Sequence, residues 1–152
     1  LVDSPALPKP AQSPRPPVIV GGRGKRRTPR LAARFADEFN VPFAGAQEAG
    51  ALYAAVTAQC ERLGRQTPPV YSAALTVCCG RTDAEVRRRA EAIGRDPATM
   101  PATGGVAGTP QQVAEQLRAY RDAGASRAFL QVLDLSDLDH LDLIASEVAP
   151  AL

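Results

Sequence analysis

The strongest constraint on this chain is a unit that it repeats: a short apolar run, a turn, and a helix opened by a capping residue. Residues 18–20, 37–41, 70–79 and 128–133 are the four runs, and they show little alternation of apolar with polar side chains. Runs of that kind form strands covered on both faces, and strand–helix repetition builds a parallel α/β sheet. The helices announce themselves at both ends. Thr28 is an N-cap with Pro29 at the first helical position, Thr82 has Glu85 three residues on, and Thr109-Pro110 has Gln112 as a capping-box partner. Ser136 caps the last helix, which runs to Val148 before Pro150, while Gly64, Gly94 and Gly124 close the earlier ones.

Helical spacing places Leu31 and Phe35 on the buried face of 29–36, and Leu52, Val56, Cys60 and Leu63 on that of 48–63. It likewise buries Val113, Leu117 and Tyr120 on one helix, and Leu138, Leu141, Ile144 and Val148 on the last. Arg87, Arg88 and Arg89 read as a solvated face, and 103–108 as a loop or short extended piece. Four strands are too few to close a barrel, and the glycine fingerprint of a doubly wound nucleotide-binding sheet is missing. The pattern predicts one half of a TIM (β/α)8 barrel, about four parallel strands with flanking helices, over residues 18–152.

Ahead of it, residues 1–17 carry six prolines and read as an extended connecting segment. The chain opens on Leu1 and its one methionine is Met100, so a piece of a longer protein, a processed product or an incomplete sequence is expected. A net charge of +2 is too small to make nucleic acid the main partner, and no apolar run is long enough to span a membrane. Cys60, Cys78 and Cys79 have neither metal-ligand spacing nor an even count for a disulfide framework. They read as buried small hydrophobes, no metal is expected, and a cytoplasmic location follows.

The stretch 18–29 carries the chemistry. After the first strand, Gly21, Gly22 and Gly24 let a ligand approach the backbone, and Lys25, Arg26 and Arg27 stand beside a helix start with free N–H groups. That composition suits a phosphate, and it suits equally a solvated basic corner.

The run Gly21-Gly22, then Arg26-Arg27-Thr28, then 31–40 reading LAARFADEFN, resembles the second half of the luciferase-like monooxygenase superfamily. So do Gly108-Thr109-Pro110 with 113–117, and the strand end 130–135. The wording of 36–43 (ADEFNVPF) and the segment from Asp134 to His140 are most similar to the branch assigned to coenzyme F420. The resemblance implies a barrel that binds a deazaflavin or flavin at its C-terminal mouth and moves hydride between it and a small-molecule substrate, with FMN as the alternative coenzyme. Carried onto this chain, it places the coenzyme phosphate near Gly21, Gly22, Gly24, Arg27 and Thr28, and Asn40 either against the ring or at a turn. The half that in the family carries most ring contacts and candidate proton donors is absent, so the resemblance assigns no catalytic residue here. A half-barrel leaves two sheet edges and its apolar interior exposed, so association with the missing half-barrel or a homodimer is expected, and a non-catalytic half-barrel is the alternative function. His140 reads as a surface histidine among Asp137, Asp139 and Asp142, Asp134 to Asp137 as turn and cap chemistry, and Gln131 faces either side of its strand.

Overall fold

Side chains alternate across each strand, and that alternation divides the molecule into a packed outer layer and an open inner face. A computed structural model describes Pro5 and residues 7–152; the expected connecting segment thus lies partly outside the described residues. The elements are β1 (Ile19–Gly21), α1 (Arg27–Phe35), β2 (Glu38–Pro42), α2 (Ala46–Arg62), β3 (Val70–Cys79) and α3 (Asp83–Ala92). A 3-10 turn (Met100–Thr103), β4 (Gly105–Gly108), α4 (Pro110–Asp122), β5 (Arg127–Gln131) and α5 (Leu138–Leu143) follow, with a π-helical turn at Ile144–Val148.

All strand pairs are parallel, in register Ile19↔Glu38, Phe39↔Tyr71, Ser72↔Arg127 and Thr76↔Gly105. Ser72 to Ala74 pair with both β2 and β5, and Thr76 with both β4 and β5. Hence β2 and β4 lie end to end on one side of β3, and β5 lies on the other. The sheet is four strands wide, as the sequence pattern leads one to expect. The fifth strand, β4, lies within 103–108, where the sequence pattern reads as a loop or short extended piece.

Four helices form the outer layer, with α1 against α2, α2 against α4, and α4 against the π-helical turn that follows α5. Phe39, Val41, Ala73, Leu75 and Val77 face these helices and are fully buried. Phe39 meets Tyr53 and Tyr71 edge-on, and the two tyrosines stack with centroids 4.8 Å apart. Such pairs add about 0.5–1.5 kcal/mol each beyond the area they bury. The Tyr53 hydroxyl donates to the Ser72 carbonyl at 2.9 Å, so the ring enters the core with its polar tip satisfied. The remaining elements, α3 to β4, are an excursion at the C-terminal end of β3. They pack Val86, Ala90, Met100 and Ala107 on Cys78 as a second small core.

Several local expectations are corrected. Helix α1 begins at Arg27 with Arg26 at the cap, so Thr28 and Pro29 lie in its first turn. Its buried side is Pro29, Ala32 and Ala33, while Leu31 and Phe35 are half exposed: the small residues allow close approach, and the large ones turn outward beside the exposed Leu63. Leu138 and Leu141 are exposed too, and Asp137 rather than Ser136 caps α5. Strand β1 is not covered on both faces, since Ile19 remains 54% exposed. Other devices stand where expected. Thr109 and Gln112 form the reciprocal capping box, Thr82 accepts from the Glu85 N–H, and Gly64 follows α2 at φ +69°. The proline-rich segment is anchored at Asp37, whose carboxylate accepts from Arg15 and from the Val18 N–H. Those bonds hold its pKa down at about 2.

Candidate functional site

Parallel strands point their C-terminal ends the same way, and the glycine corner follows β1 at that end of the sheet. The Gly22 N–H donates to the Asn40 carbonyl at 3.1 Å, which ties the corner to β2. Gly22 has φ +144°, a conformation that side-chain-bearing residues rarely adopt. The Thr28 side chain folds back beneath the corner. A Cβ at Gly24 would stand 2.5 Å from its Oγ1, and one at Gly22 would stand 3.5 Å from its Cγ2. Gly22, Gly24 and Thr28 are thus brought together as a cradle with the Thr28 side chain packed against the two glycines, while a Cβ at Gly21 would meet only the Asn40 carbonyl, at 3.8 Å. Above it, α1 starts with no side-chain cap and no acidic residue in its first turn. Its first N–H groups have no intrahelical acceptor and carry the positive end of the helix dipole.

The basic side chains are arranged otherwise. Arg23 is committed to structure, with Nε and Nη2 on the Glu48 carboxylate at 3.1 and 2.7 Å and Nη1 on the Phe43 carbonyl at 2.9 Å. Lys25 lies along α2 near Glu48 and Leu52, and Arg27 lies in the outer groove between α1 and α2 with Arg30 and Arg34. The corner itself therefore offers backbone N–H groups and the Thr28 side chain, while Lys25 and Arg27 lie against the helices. Asn40 shares the inner face with Gly21 and spends one amide N–H on the Ser72 hydroxyl at 2.9 Å.

The inner face continues with Glu38, Thr76, Arg127 and Gln131. Arg127 pairs with Glu38, and the Thr76 hydroxyl donates to the Gln131 carbonyl oxygen at 3.4 Å. Gln131 therefore faces inward, the side its strand pattern left open.

Sequence reasoning missed two features of the rim. Phe43, directly after β2, has φ +48°, an outlier for a bulky residue. Its N–H donates to the Ala74 carbonyl, its own carbonyl is held by Arg23, and Gly104 packs on its backbone. Strain fixed from three sides in this way gathers at ligand-binding rims. The Pro42-Phe43 dipeptide at a strand end was the one available signal.

The second feature corrects two expectations. Arg89 and His140, read as solvated, are 7% and 4% exposed. Arg89 clamps both Asp137 carboxylate oxygens, at 2.7 and 3.1 Å, and donates to the Cys79 carbonyl at 2.8 Å. The Cys79 N–H donates to His140 Nε2 at 2.9 Å, so the imidazole is neutral with its proton on Nδ1. Burial, helped by the Arg89 charge, lowers the His140 pKa. The bonds from Arg89 lower that of Asp137. The cluster locks the excursion to the end of β3. Asp134 serves the turn, as its spacing predicts, accepting from the Ser136 N–H and hydroxyl. Cys60, Cys78 and Cys79 are buried, and burial raises each thiol pKa. Among the described residues no helix is long and apolar enough to cross a membrane.

Comparison with known proteins supplies the frame. The pattern of the luciferase-like monooxygenase family matches residues 1–97. Among curated proteins no relative matches. Among solved structures, the coenzyme F420-dependent tetrahydromethanopterin reductase of Methanopyrus kandleri superposes with a TM-score of 0.68 at 16% identity, over 88% of this chain and 50% of that one. The FMN-bound oxygenating constituent of 3,6-diketocamphane monooxygenase, from the CAM plasmid of Pseudomonas putida, gives 0.66 at 20% identity, over 91% and 49%. An F420-dependent secondary alcohol dehydrogenase, solved with an F420–acetone adduct, gives 0.66 at 12% identity, over 89% and 48%. The chain thus spans about half the length of these structures, and its fold is half of their barrel. With the family pattern covering more than half of its residues, the chain belongs to the luciferase-like monooxygenase family.

Proposed function

We propose that this chain is the C-terminal half of an oxidoreductase that transfers hydride between coenzyme F420 and a small organic substrate. The observation that carries this reading is the cradle of Gly22, Gly24 and Thr28 beneath the uncapped start of α1. Its chemistry suits a phosphate: uncapped N–H groups at the start of α1, the Thr28 hydroxyl, and glycines that let a ligand approach the backbone. When bound, the deazaflavin supplies the hydride chemistry at the ring carbon equivalent to flavin N5; the protein supplies position and electrostatics. In this reading Gly22, Gly24 and Thr28 would hold the phosphoryl end, and the Gly22–Asn40 bond ties that corner to β2. FMN is the second reading, because it presents a phosphate to the same cradle and is the coenzyme of one structural neighbour.

Titration of the chain with F420 and, in parallel, with FMN is the test. Saturable F420 binding is expected, weakened about tenfold in Gly22→Ala, whose backbone must leave φ +144°. Equal binding by the variant, or no binding of either coenzyme, removes the reading. Tighter binding of FMN changes the coenzyme and leaves the cradle in place.

The inner face supports a further expectation, that this half requires a covering partner, either a second copy or the other half-barrel. Ile19 and Phe129 on it are 54% and 43% exposed, and β1 and β5 are open edges. Glu38 Oε1 is the buried side-chain polar atom left without a hydrogen-bond partner among the described residues. Sedimentation of the chain alone is expected to show dimers or larger species, shifted toward monomer by Phe129→Lys. A monomer at every concentration would count against it.

A further inference from the structure

A cavity of about 470 Å³ opens at the rim end of the inner face, between the end of the sheet and the excursion that follows β3. Phe43 and Met100 give it apolar walls, and Thr76, Arg95, Thr103 and Gln131 give it polar ones. The polar groups are unbalanced. The Thr76 hydroxyl occupies the Gln131 carbonyl oxygen, which leaves the Gln131 NH2 for the cavity. Thr103 turns its proton back to the Thr99 and Met100 carbonyls. Arg95 forms no ion pair among the described residues, unlike its neighbours Arg81, Arg88 and Arg89, which pair with Glu147 and Asp137. Among the described residues no carboxylate lines the space. The one charge on the lining is the Arg95 cation, and the Gln131 NH2 adds two donors beside it, a combination that suits an acceptor-only anion. The strained Phe43 fixes an aromatic wall beside those donors, and its carbonyl is gripped by Arg23 of the glycine corner. The cavity and the cradle are thus joined through one residue.

We propose that this cavity takes the acid group of a small organic acid, its carboxylate on Arg95 and the Gln131 amide and its apolar body on Phe43 and Met100. Naming that acid the substrate rests on the oxidoreductase reading above; the anion site itself does not. A carboxylate on the coenzyme would present the same chemistry, and the experiment separates the two.

The experiment follows backbone amide shifts of the chain during titration with phenylacetate and with its neutral counterpart phenylacetamide. The expected result is movement at Phe43, Thr103 to Gly105 and Gln131, with phenylacetate favoured about tenfold or more. Arg95→Gln, an exposed replacement with no protein partner to lose, is expected to abolish that preference and leave F420 binding unchanged. Equal affinity for the two probes, a preference that survives in Arg95→Gln, or movement confined to other residues overturns the proposal. Loss of F420 binding in Arg95→Gln gives the cavity to the coenzyme and overturns the substrate assignment. Failure of the Gly22→Ala test leaves the phenylacetate preference untouched, so the two readings fail separately.

Discussion

Gly104→Ala is expected to destabilise the protein by about 3–5 kcal/mol, because left-handed backbone costs an alanine about 1–2 kcal/mol and overpacking against unyielding atoms costs about as much again or more. Gly104 has φ +77°, and a Cβ there would run into the Phe43 carbonyl carbon and Cα and the Ala44 nitrogen. Those are backbone atoms already pinned by the Phe43–Ala74 and Arg23–Phe43 hydrogen bonds, so neither side yields cheaply. Gly94 supplies the control. It has φ +63° with open space around it, so Gly94→Ala pays the conformational cost alone, about 1–2 kcal/mol. Urea unfolding of both variants measures the difference. Equal costs would mean that Gly104 does not brace Phe43, and the fixed aromatic wall of the cavity would lose its support.

Asp137→Ala is expected to cost about 3–5 kcal/mol, the usual penalty for stranding one member of a buried ion pair. Arg89 keeps its bond to the Cys79 carbonyl but loses both carboxylate oxygens, and α5 loses its cap at the His140 N–H. The double variant Arg89→Met, Asp137→Leu is expected to recover part of that loss, since it removes the stranded charge.

The same cluster sets a pH dependence. His140 has a lowered pKa, so its contribution is complete above the ordinary value of 6.5 and is lost as pH falls toward the folded value. Asp137 is lowered likewise, and its contribution disappears further down, below its ordinary 3.8. Unfolding free energy is therefore expected to fall by up to about 2 kcal/mol between pH 7.5 and pH 5, the limit for uptake of one proton over that interval. His140→Gln keeps an acceptor for the Cys79 N–H and should flatten that slope. A slope unchanged in His140→Gln would place the titrating group elsewhere.

What the sequence disclosed and what it withheld divide along a physical line. Features fixed within a few residues were legible: the Thr82 and Thr109 caps, Gly64 after α2, and the apolar strands β2 and β3. Features that need a distant partner were not. Strand β4 has four residues, two of them glycine, and exists because the far half of β3 offers it a ladder. Arg89 looks solvated beside Arg87 and Arg88 until Asp137, far along the chain, closes on it. In α1 the spacing of Leu31 and Phe35 was read correctly as one stripe, but the stripe faces outward, because Ala32, Ala33 and Ala36 let the helix sit close to its neighbours. The glycine corner was visible as a possible anion site. That Thr28 packs against the glycines while Lys25 and Arg27 lie along the helices required the fold.

The central claim is that this corner receives the phosphoryl end of a redox coenzyme, and amide shifts of the isotopically labelled chain during coenzyme addition test it most directly. The account predicts that F420 moves the N–H signals of Gly22 to Thr28 first and most, with Asn40 following through its bond to Gly22. Signals of Gly22 to Thr28 that stay fixed while F420 or FMN saturates the protein would contradict it.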